Sequence, residues 1–577
     1  MDQTVDKSFT YAGIACGACE GDSIASAMVR NAHMTCRRND QGDGRGIFCG
    51  MGVCNECAVE VDGKPGVLAC MTTLKEGMKI EVQEQHREAP EFDLPPNGTE
   101  QLPEEVIHAD VAIIGGGPAG LALAKELVRL APGTSIIIID ERKSLGGQYF
   151  KQQQVKNPGR KIDAQFKEGA DLIEEVRASG VRILNGVTIW AAFDPDHLLG
   201  YDESHRYKFV PKELVIATGA YERGIPMPGW TLPGVMTTGA AQTLLRSYSV
   251  APGTRVLIAG HGPLNLQMAA ELVRHGSEVV ALVEAGRIFA PSSILRTLVL
   301  GLISPSMALR GLGYLLTVKR ARVPYFSGAA VSKFSSTQIE DQIEDQIEKK
   351  NERVATATIT SLHSSVEVST LSVDAVAMGY GFIPSNEIAR NLGAEHRIDP
   401  ATRGLKTITK LDGATTREHL WVIGDGRNIN GAQVAKFRGH LLATSLASVL
   451  TGKRHFLLST WKKLLLGRQL LFQEFLWKIY KSPLILDQFT TRETTICRCL
   501  SITKGEILDD LTSDMTTAGA LKRVNRVGMG KCQGRYCSPF AQKIIEDATG
   551  LQPDAYSGFA PQVPIKPTTI ANIAYPV

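Results

Sequence analysis

Residues 110–130 read DVAIIGGGPAGLALAKELVRL. A short apolar run ends in three glycines, and a run with helical apolar spacing follows. Gly115, Gly117 and Gly120 stand in the pattern G-x-G-x-x-G, with Pro118 and Ala119 inside it. A second apolar run, SIIIID, ends on Asp140 and Glu141 about 20 residues further on. Strand, tight turn, helix and strand together predict a βαβ unit. Its glycines let the backbone approach a pyrophosphate, its helix N-terminus favours the negative charge, and its acidic residue suits a ribose. A dinucleotide is the ligand this spacing predicts.

Outward from that unit, VLIAGHGPLNLQMAAELVRHG at 256–276 repeats the pattern at Gly260 and Gly262, and Asn265 stands in place of the third glycine. The strand VVALVE then ends at Glu284. The third glycine normally permits close helix–strand packing. A second Rossmann-like fold is therefore expected, with NAD(P) or ATP as candidate ligands and a vestigial packing domain as the alternative. Further on, LWVIGDGRNINGAQVAKFRGH at 420–440 delivers Gly424 and Asp425 from a strand to a helix. With GGQ at 146–148, ATGA at 217–220 and GYGFIPS at 379–385, the chain resembles the two-dinucleotide-fold flavoproteins, the thioredoxin- and glutathione-reductase-like superfamily. The resemblance implies FAD, held also by Gly147, Gln148, Ala217, Thr218, Gly219 and Gly424. It places Asp425 on the ribityl chain, and the helix that begins near Gly431 and carries Gln433 beside the flavin pyrimidine, where its dipole favours the anionic reduced ring. No C-x-x-C lies in this part of the chain, which argues against a disulfide reductase. No Ser-His-Asp order or metal-binding His pair stands out, so no catalytic residue is assigned.

Eleven cysteines occur in 577 residues. The first residues carry no basic segment followed by an apolar run, so a cytoplasmic protein is expected. In a reducing compartment, metal or redox roles are favoured over disulfides. The stretch RGIFCGMGVCNECAVEVDGKPGVLAC sets Cys49, Cys54, Cys57 and Cys70 as C-x4-C-x2-C-x12-C. The first spacings are those of plant-type [2Fe–2S] clusters, and the intervening glycines let one loop wrap two irons. A second set, Cys497, Cys499, Cys532 and Cys537, reads C-x-C-x32-C-x4-C. Thr503 and Glu506 form a capping box between its halves. Lys522, Arg523, Arg526, Lys531 and Arg535 add positive charge. Zinc remains the competing metal at both sets. Cys16, Cys19 and Cys36 are expected to be buried or half-exposed thiols.

GMGKCQGRYC, PGWTLPGVMTTGAAQ and the two folds are similar to the alpha subunits of bacterial amine and imino-acid dehydrogenases. That family includes opine oxidase, D-hydroxyproline dehydrogenase and the large FAD subunit of hydrogen cyanide synthase. The match covers roughly residues 105–545. The N-terminal part resembles the separate ferredoxin-like subunit of the same complexes, a β-grasp fold. The fused order also occurs in the alpha subunit of heterotetrameric sarcosine oxidase, which does not usually carry both cysteine sets. The resemblance implies an electron-transfer subunit that relays electrons through FAD and two [2Fe–2S] clusters. Its partner would be a flavin-containing beta subunit like D-amino-acid oxidase, and its acceptor could lie at a membrane, which would put the chain at the inner face. A self-contained NAD(P)H:acceptor reductase and a non-catalytic Fe–S/FAD scaffold or redox sensor are the alternatives.

The expected class is thus α/β, with a ferredoxin-like [2Fe–2S] domain at 1–90, a linker at 91–106 and the FAD domain in two parts, 107–250 and 373–452. The second dinucleotide-like domain is placed at 251–372, a helical connector at 453–490, a small helical [2Fe–2S] domain at 491–550 and an extended tail at 551–577. One cluster module is thereby expected at each end of the flavin domain. The apolar stretch 294–316, broken by Pro305, predicts two packed helices, with a membrane- or partner-facing surface as the other reading. WKKLLLGRQLLFQEFLWKIY, from Trp461, predicts an amphipathic helix. QIEDQIEDQIEKK, from Gln338, predicts a solvated loop. A net charge of +3 gives no reason to expect nucleic acid.

Overall fold

A computed structural model describes residues 5–84, 102–155, 163–288, 291–338, 352–453 and 456–573. Most of the expected linker and of the Gln338 repeat fall outside these residues. The last residues assigned to the linker are already sheet, since a strand runs Glu104–Ile114.

The N-terminal module is a five-stranded sheet in the order Ile14–Ala18, Lys7–Tyr11, Lys79–Glu81, Ala58–Val61, Lys64–Leu68. Its central pair, Lys7–Tyr11 with Lys79–Glu81, is parallel, and its neighbours are antiparallel. The helix Ile24–Arg30, capped by Ser23, packs into its core. This is the expected β-grasp arrangement.

The first dinucleotide fold is a seven-stranded sheet with Glu104–Ile114 near its middle. That strand pairs in parallel with Ile136–Asp140 on one side and Arg206–Ile216 on the other. Leu420–Val422 returns from late in the chain to pair beside Arg206–Ile216, so this domain is discontinuous as expected. The helices Pro118–Leu130 and Ala432–Thr451 share one apolar core beneath it.

The second fold is a parallel five-stranded sheet centred on Arg255–Gly260. It recruits Val235–Thr237 and Ala375–Gly379, so this unit is wider than the segment 251–372. The side chain of Asn265, buried, replaces the missing glycine contact. Its Nδ2 donates to the Gly379 carbonyl at 3.0 Å, and its Oδ1 accepts from Thr238 at 2.8 Å. The helix is tied to the strand by hydrogen bonds rather than by close approach.

The apolar stretch forms two helices, Pro291–Ile303 and Pro305–Arg320, and Phe456–Ile479 packs against the first. Leu295, Leu298, Leu302, Leu309, Leu312 and Leu316 stay exposed on the first two. No helix among the described residues is long and apolar enough to cross a membrane.

One ion pair ties Phe456–Ile479 to the first dinucleotide helix. Lys462 Nζ donates to Glu126 Oε1 at 2.7 Å, and Arg129 donates to the same oxygen at 2.7 Å. Burial alone would raise the Glu126 pKa, but these partners outweigh it and hold it at about 2, below the ordinary 4.5. A depressed carboxylate stabilises the fold above its unfolded pKa, and that contribution is lost as pH falls from about 4.5 towards 2. Glu126→Gln should therefore lower the denaturation midpoint at pH 7, and should narrow the further drop between pH 5 and pH 3.

Candidate functional site

A cleft opens at the C-terminal edge of the first sheet, where the dinucleotide helix begins. Gly115, Gly117, Pro118, Ala119, Asp140, Glu141, Gly147 and Gln148 line it, with Ala217, Thr218, Gly219, Gly424 and Asp425 opposite. The glycines serve different ends. A Cβ on Gly120 would lie 2.1 Å from the Gly115 carbonyl oxygen, so that residue is glycine for helix–strand packing and does not line the cleft. Gly117 has an ordinary φ of −85°, and a Cβ there would meet nothing nearer than Gly147 Cα at 3.8 Å. Nothing among the described residues excludes a Cβ at Gly117, which lines the cleft.

Asp140 is buried, accepting from the Gly116 amide at 2.7 Å and the Arg142 amide at 2.8 Å. Burial raises its pKa. Asp425 accepts from the amides of Asn430 and Gly431, at 2.9 and 3.0 Å, which sets the start of the helix Ala432–Thr451 against the cleft. Gln148 Nε2 is buried on this wall without a hydrogen-bond partner among the described residues, an orphaned donor that a bound flavin nucleotide's oxygens or ring nitrogens could satisfy. These residues fit FAD. Gln433 does not line the cleft; its amide lies 3.4 Å from Glu168.

The second fold has the expected Gly260, Gly262 and Glu284, but its mouth is covered. Glu284 is buried and accepts from the amides of Gly262 and Gly286, at 3.2 and 2.9 Å. Trp477 lies over the start of the helix Pro263–His275: a Cβ on Gly262 would be 3.4 Å from its ring, and the ring stands 5.4 Å from His261. A nucleotide's phosphates would need that space.

The cysteines group as their spacing predicts. Cys57 and Cys70 sulfurs are 3.3 Å apart, and Cys49 and Cys54 are hydrogen-bonded. In the second set, Cys499 lies 3.8 Å from Cys497 and 3.6 Å from Cys532, and Cys537 touches Cys497. Burial disfavours the Cys49 thiolate. The Cys54 thiol and the amides of Cys54, Met51 and Val53 outweigh this and bring its pKa to about 6. Amides aimed at a sulfur are what an anionic cluster requires. Among the described residues no three ligating side chains converge on one point. The first set approaches as two pairs, and the second as a chain of four in which Cys499 meets both Cys497 and Cys532. Cys16, Cys19 and Cys36 are all buried thiols outside both groups. The Thr503–Glu506 capping box forms with both its bonds.

The modules do not stand at opposite ends of the flavin domain. Cys49, Cys54, Cys497, Cys532 and Cys537 belong to one apolar core. Both loops also reach the FAD cleft, which is lined by Met51 and Val53 from the first and by Arg535 from the second. Arg535 pairs with Glu387 at 3.0 Å on the cleft wall. The tail is not merely laid on a surface: Ile565 and Lys566 line the cleft, and Lys566 pairs with Glu141. Sequence reading gave none of these a place in the cleft. Arg535 was legible only as positive charge inside the second cysteine motif.

Three family models match the chain. A 2Fe-2S iron-sulfur cluster binding domain covers residues 6–85, a pyridine nucleotide-disulphide oxidoreductase domain 109–297, and a BFD-like [2Fe-2S] binding domain 495–547. The opine oxidase A-subunit of Agrobacterium tumefaciens is 29% identical over 488 residues, 81% of this chain and 91% of the relative. Hydrogen cyanide synthase subunit HcnB of Pseudomonas protegens is 28% identical over 480 residues, 79% of this chain and 95% of the relative. The alpha subunit of sarcosine oxidase from a Corynebacterium is 27% identical, over 46% of this chain and 29% of the relative. The crystal structure of L-proline dehydrogenase from P. horikoshii shares the fold, with a TM-score of 0.67 over 99% of this chain and 97% of that one, at 20% identity. The chain is therefore an FAD-dependent oxidoreductase that fuses two [2Fe–2S] domains to its flavin domain and is similar to the opine oxidase A-subunit and HcnB.

Proposed function

We propose that this chain is the electron-transfer subunit of a heteromeric amine dehydrogenase of the opine, imino-acid or glycine type. It passes electrons between a flavin-containing partner subunit like D-amino-acid oxidase and an acceptor. The observation that carries this reading is the meeting of both cysteine loops with the FAD cleft, through Met51, Val53 and Arg535. FAD supplies the chemistry that joins two-electron donors to one-electron centres.

The chain's own residues do the rest. The Gly115–Gly120 turn and the N-terminus of Pro118–Leu130 would hold the pyrophosphate, Asp140 and Glu141 the adenosine ribose, and Asp425 the ribityl chain. The N-terminus of Ala432–Thr451 would favour negative charge on the ring. Cys49, Cys54, Cys57 and Cys70 would ligate one cluster, and Cys497, Cys499, Cys532 and Cys537 the other. Burial of six of these eight keeps water from both, Cys70 and Cys499 being half-buried. The names of the relatives, as subunits of larger enzymes, support oxidation of the amine on a partner subunit.

Stopped-flow mixing tests the reading. The isolated chain should show no rapid flavin bleaching with NADH, because Trp477 covers the second fold. Together with its partner, the amine substrate should reduce both the flavin and the iron–sulfur centres. Fast bleaching of the isolated chain by NADH would sink the relay in favour of a self-contained reductase.

A further inference from the structure

The contact between the two cysteine loops is charged, although it lies inside an apolar core. Glu56, between Cys54 and Cys57, is 1% exposed. Arg37 donates to its Oε1 at 2.7 Å, and Arg498 Nη2 lies 3.5 Å from its Oε2. Arg498 stands between Cys497 and Cys499 and is 4% exposed. Its guanidinium sits 4.0 Å from the centre of the Phe48 ring and 4.7 Å from that of Trp230, and it donates to the Trp230 carbonyl. Phe48 immediately precedes Cys49. Its ring also meets Tyr536, which precedes Cys537, at 5.3 Å and 74°. One arginine from the second loop thus reaches the carboxylate and the aromatic ring of the first.

Arg45, also buried, brings a third guanidinium to this contact, 3.9 Å from the half-exposed Asp43 and close enough to Glu56 and Arg498 to feel both charges. Glu56 is the buried carboxylate that Arg37 and Arg498 share. Thiolate-ligated clusters on either side would carry negative charge that these fixed cations face.

We propose that Arg498 is a positioning residue shared by both clusters: held by Glu56, Phe48 and Trp230, it sets the electrostatic potential at the Cys49–Cys70 and Cys497–Cys537 sites together. The inference rests on the assignment of the eight cysteines as cluster ligands. Each cluster takes up one electron on reduction, with no bond made or broken in the protein, so a fixed cation beside it favours the reduced form.

The test is an EPR-monitored redox titration of the full-length chain, which reads a midpoint for each cluster. Arg498→Met should lower both midpoints together. Glu56→Gln, which removes the opposing charge, should raise both. Arg498→Lys, which keeps the charge without the ring contacts, should restore most of the Met shift. If Arg498→Met does not fold, the Glu56→Gln shift still carries the sign. A shift at only one cluster, or at neither, overturns the shared role while leaving the ligand assignment standing. A wild-type chain that binds iron at neither set overturns the assignment and the inference together.

Discussion

Gly117→Val yields a chain that folds and keeps its iron but carries no flavin. The position has a φ that any residue adopts, and its nearest protein neighbour would be 3.8 Å from an added Cβ. The substitution therefore costs the empty fold little. Its side chain occupies the space into which the cofactor's phosphates must come, at the first turn of Pro118–Leu130. Steric exclusion at a pyrophosphate leaves no alternative pose, so flavin content should fall at least tenfold, a loss of about 1.4 kcal/mol or more in binding. Gly120→Ala makes the contrast. There the Cβ meets the Gly115 carbonyl oxygen at 2.1 Å, and the helix must move off the strand. That variant should lose stability even without flavin, by about 1–3 kcal/mol as for other overpacked sites. Flavin absorbance after desalting, read beside the thermal midpoints of the flavin-free forms, separates the two failures.

Cys532→Ser should halve the iron. With both clusters present, iron and sulfide each approach about four per chain, and loss of one [2Fe–2S] site leaves about two. Cys532 is buried, with its sulfur 3.6 Å from that of Cys499. A serine oxygen there is a poorer iron ligand than a thiolate and cannot leave the core to reach water. Cys54→Ser should remove the other pair in the same way. Cys19→Ala should leave four irons, because the charged neighbours of its thiol are Arg30, Asp22 and Asp6, none of them a cysteine of either group. Iron per chain by atomic absorption, with the visible spectrum as a second measure, decides. Zinc in place of iron in the wild type would refute the assignment outright.

Local pattern carried much of this architecture. The G-x-G-x-x-G turn, the run into Asp425 and the cysteine spacings each lie within a few residues, where backbone geometry and ligand chemistry leave little choice. The capping box at Thr503 was legible for the same reason. Asn265 was legible as a departure, but the bonds that make it work go to Thr238 and Gly379, which no local pattern connects to it. Contacts between distant segments were invisible throughout. Phe48 and Tyr536 meet only because two separate modules dock on the second dinucleotide fold, and that docking depends on the shape of the whole apolar core. The expectation of a module at each end of the flavin domain took order along the chain for order in space. Trp477 over Gly262 was hidden in the same way, since an amphipathic helix does not announce which surface it covers.

The shared core of the two loops also has a consequence for how the protein is made. The loop holding Cys49 to Cys70 leaves the ribosome well before the segment around Arg498 that closes over it. At about 5–20 residues per second the interval is of the order of a minute. During that interval the first loop is open to the machinery that delivers iron and sulfide. Once the C-terminal segment docks, with Arg498 against Phe48 and Glu56, the same site is largely covered, Cys70 alone staying half-buried. The expected consequence is that iron and sulfide enter the Cys49–Cys70 site more slowly in a completed chain than in one loaded during synthesis.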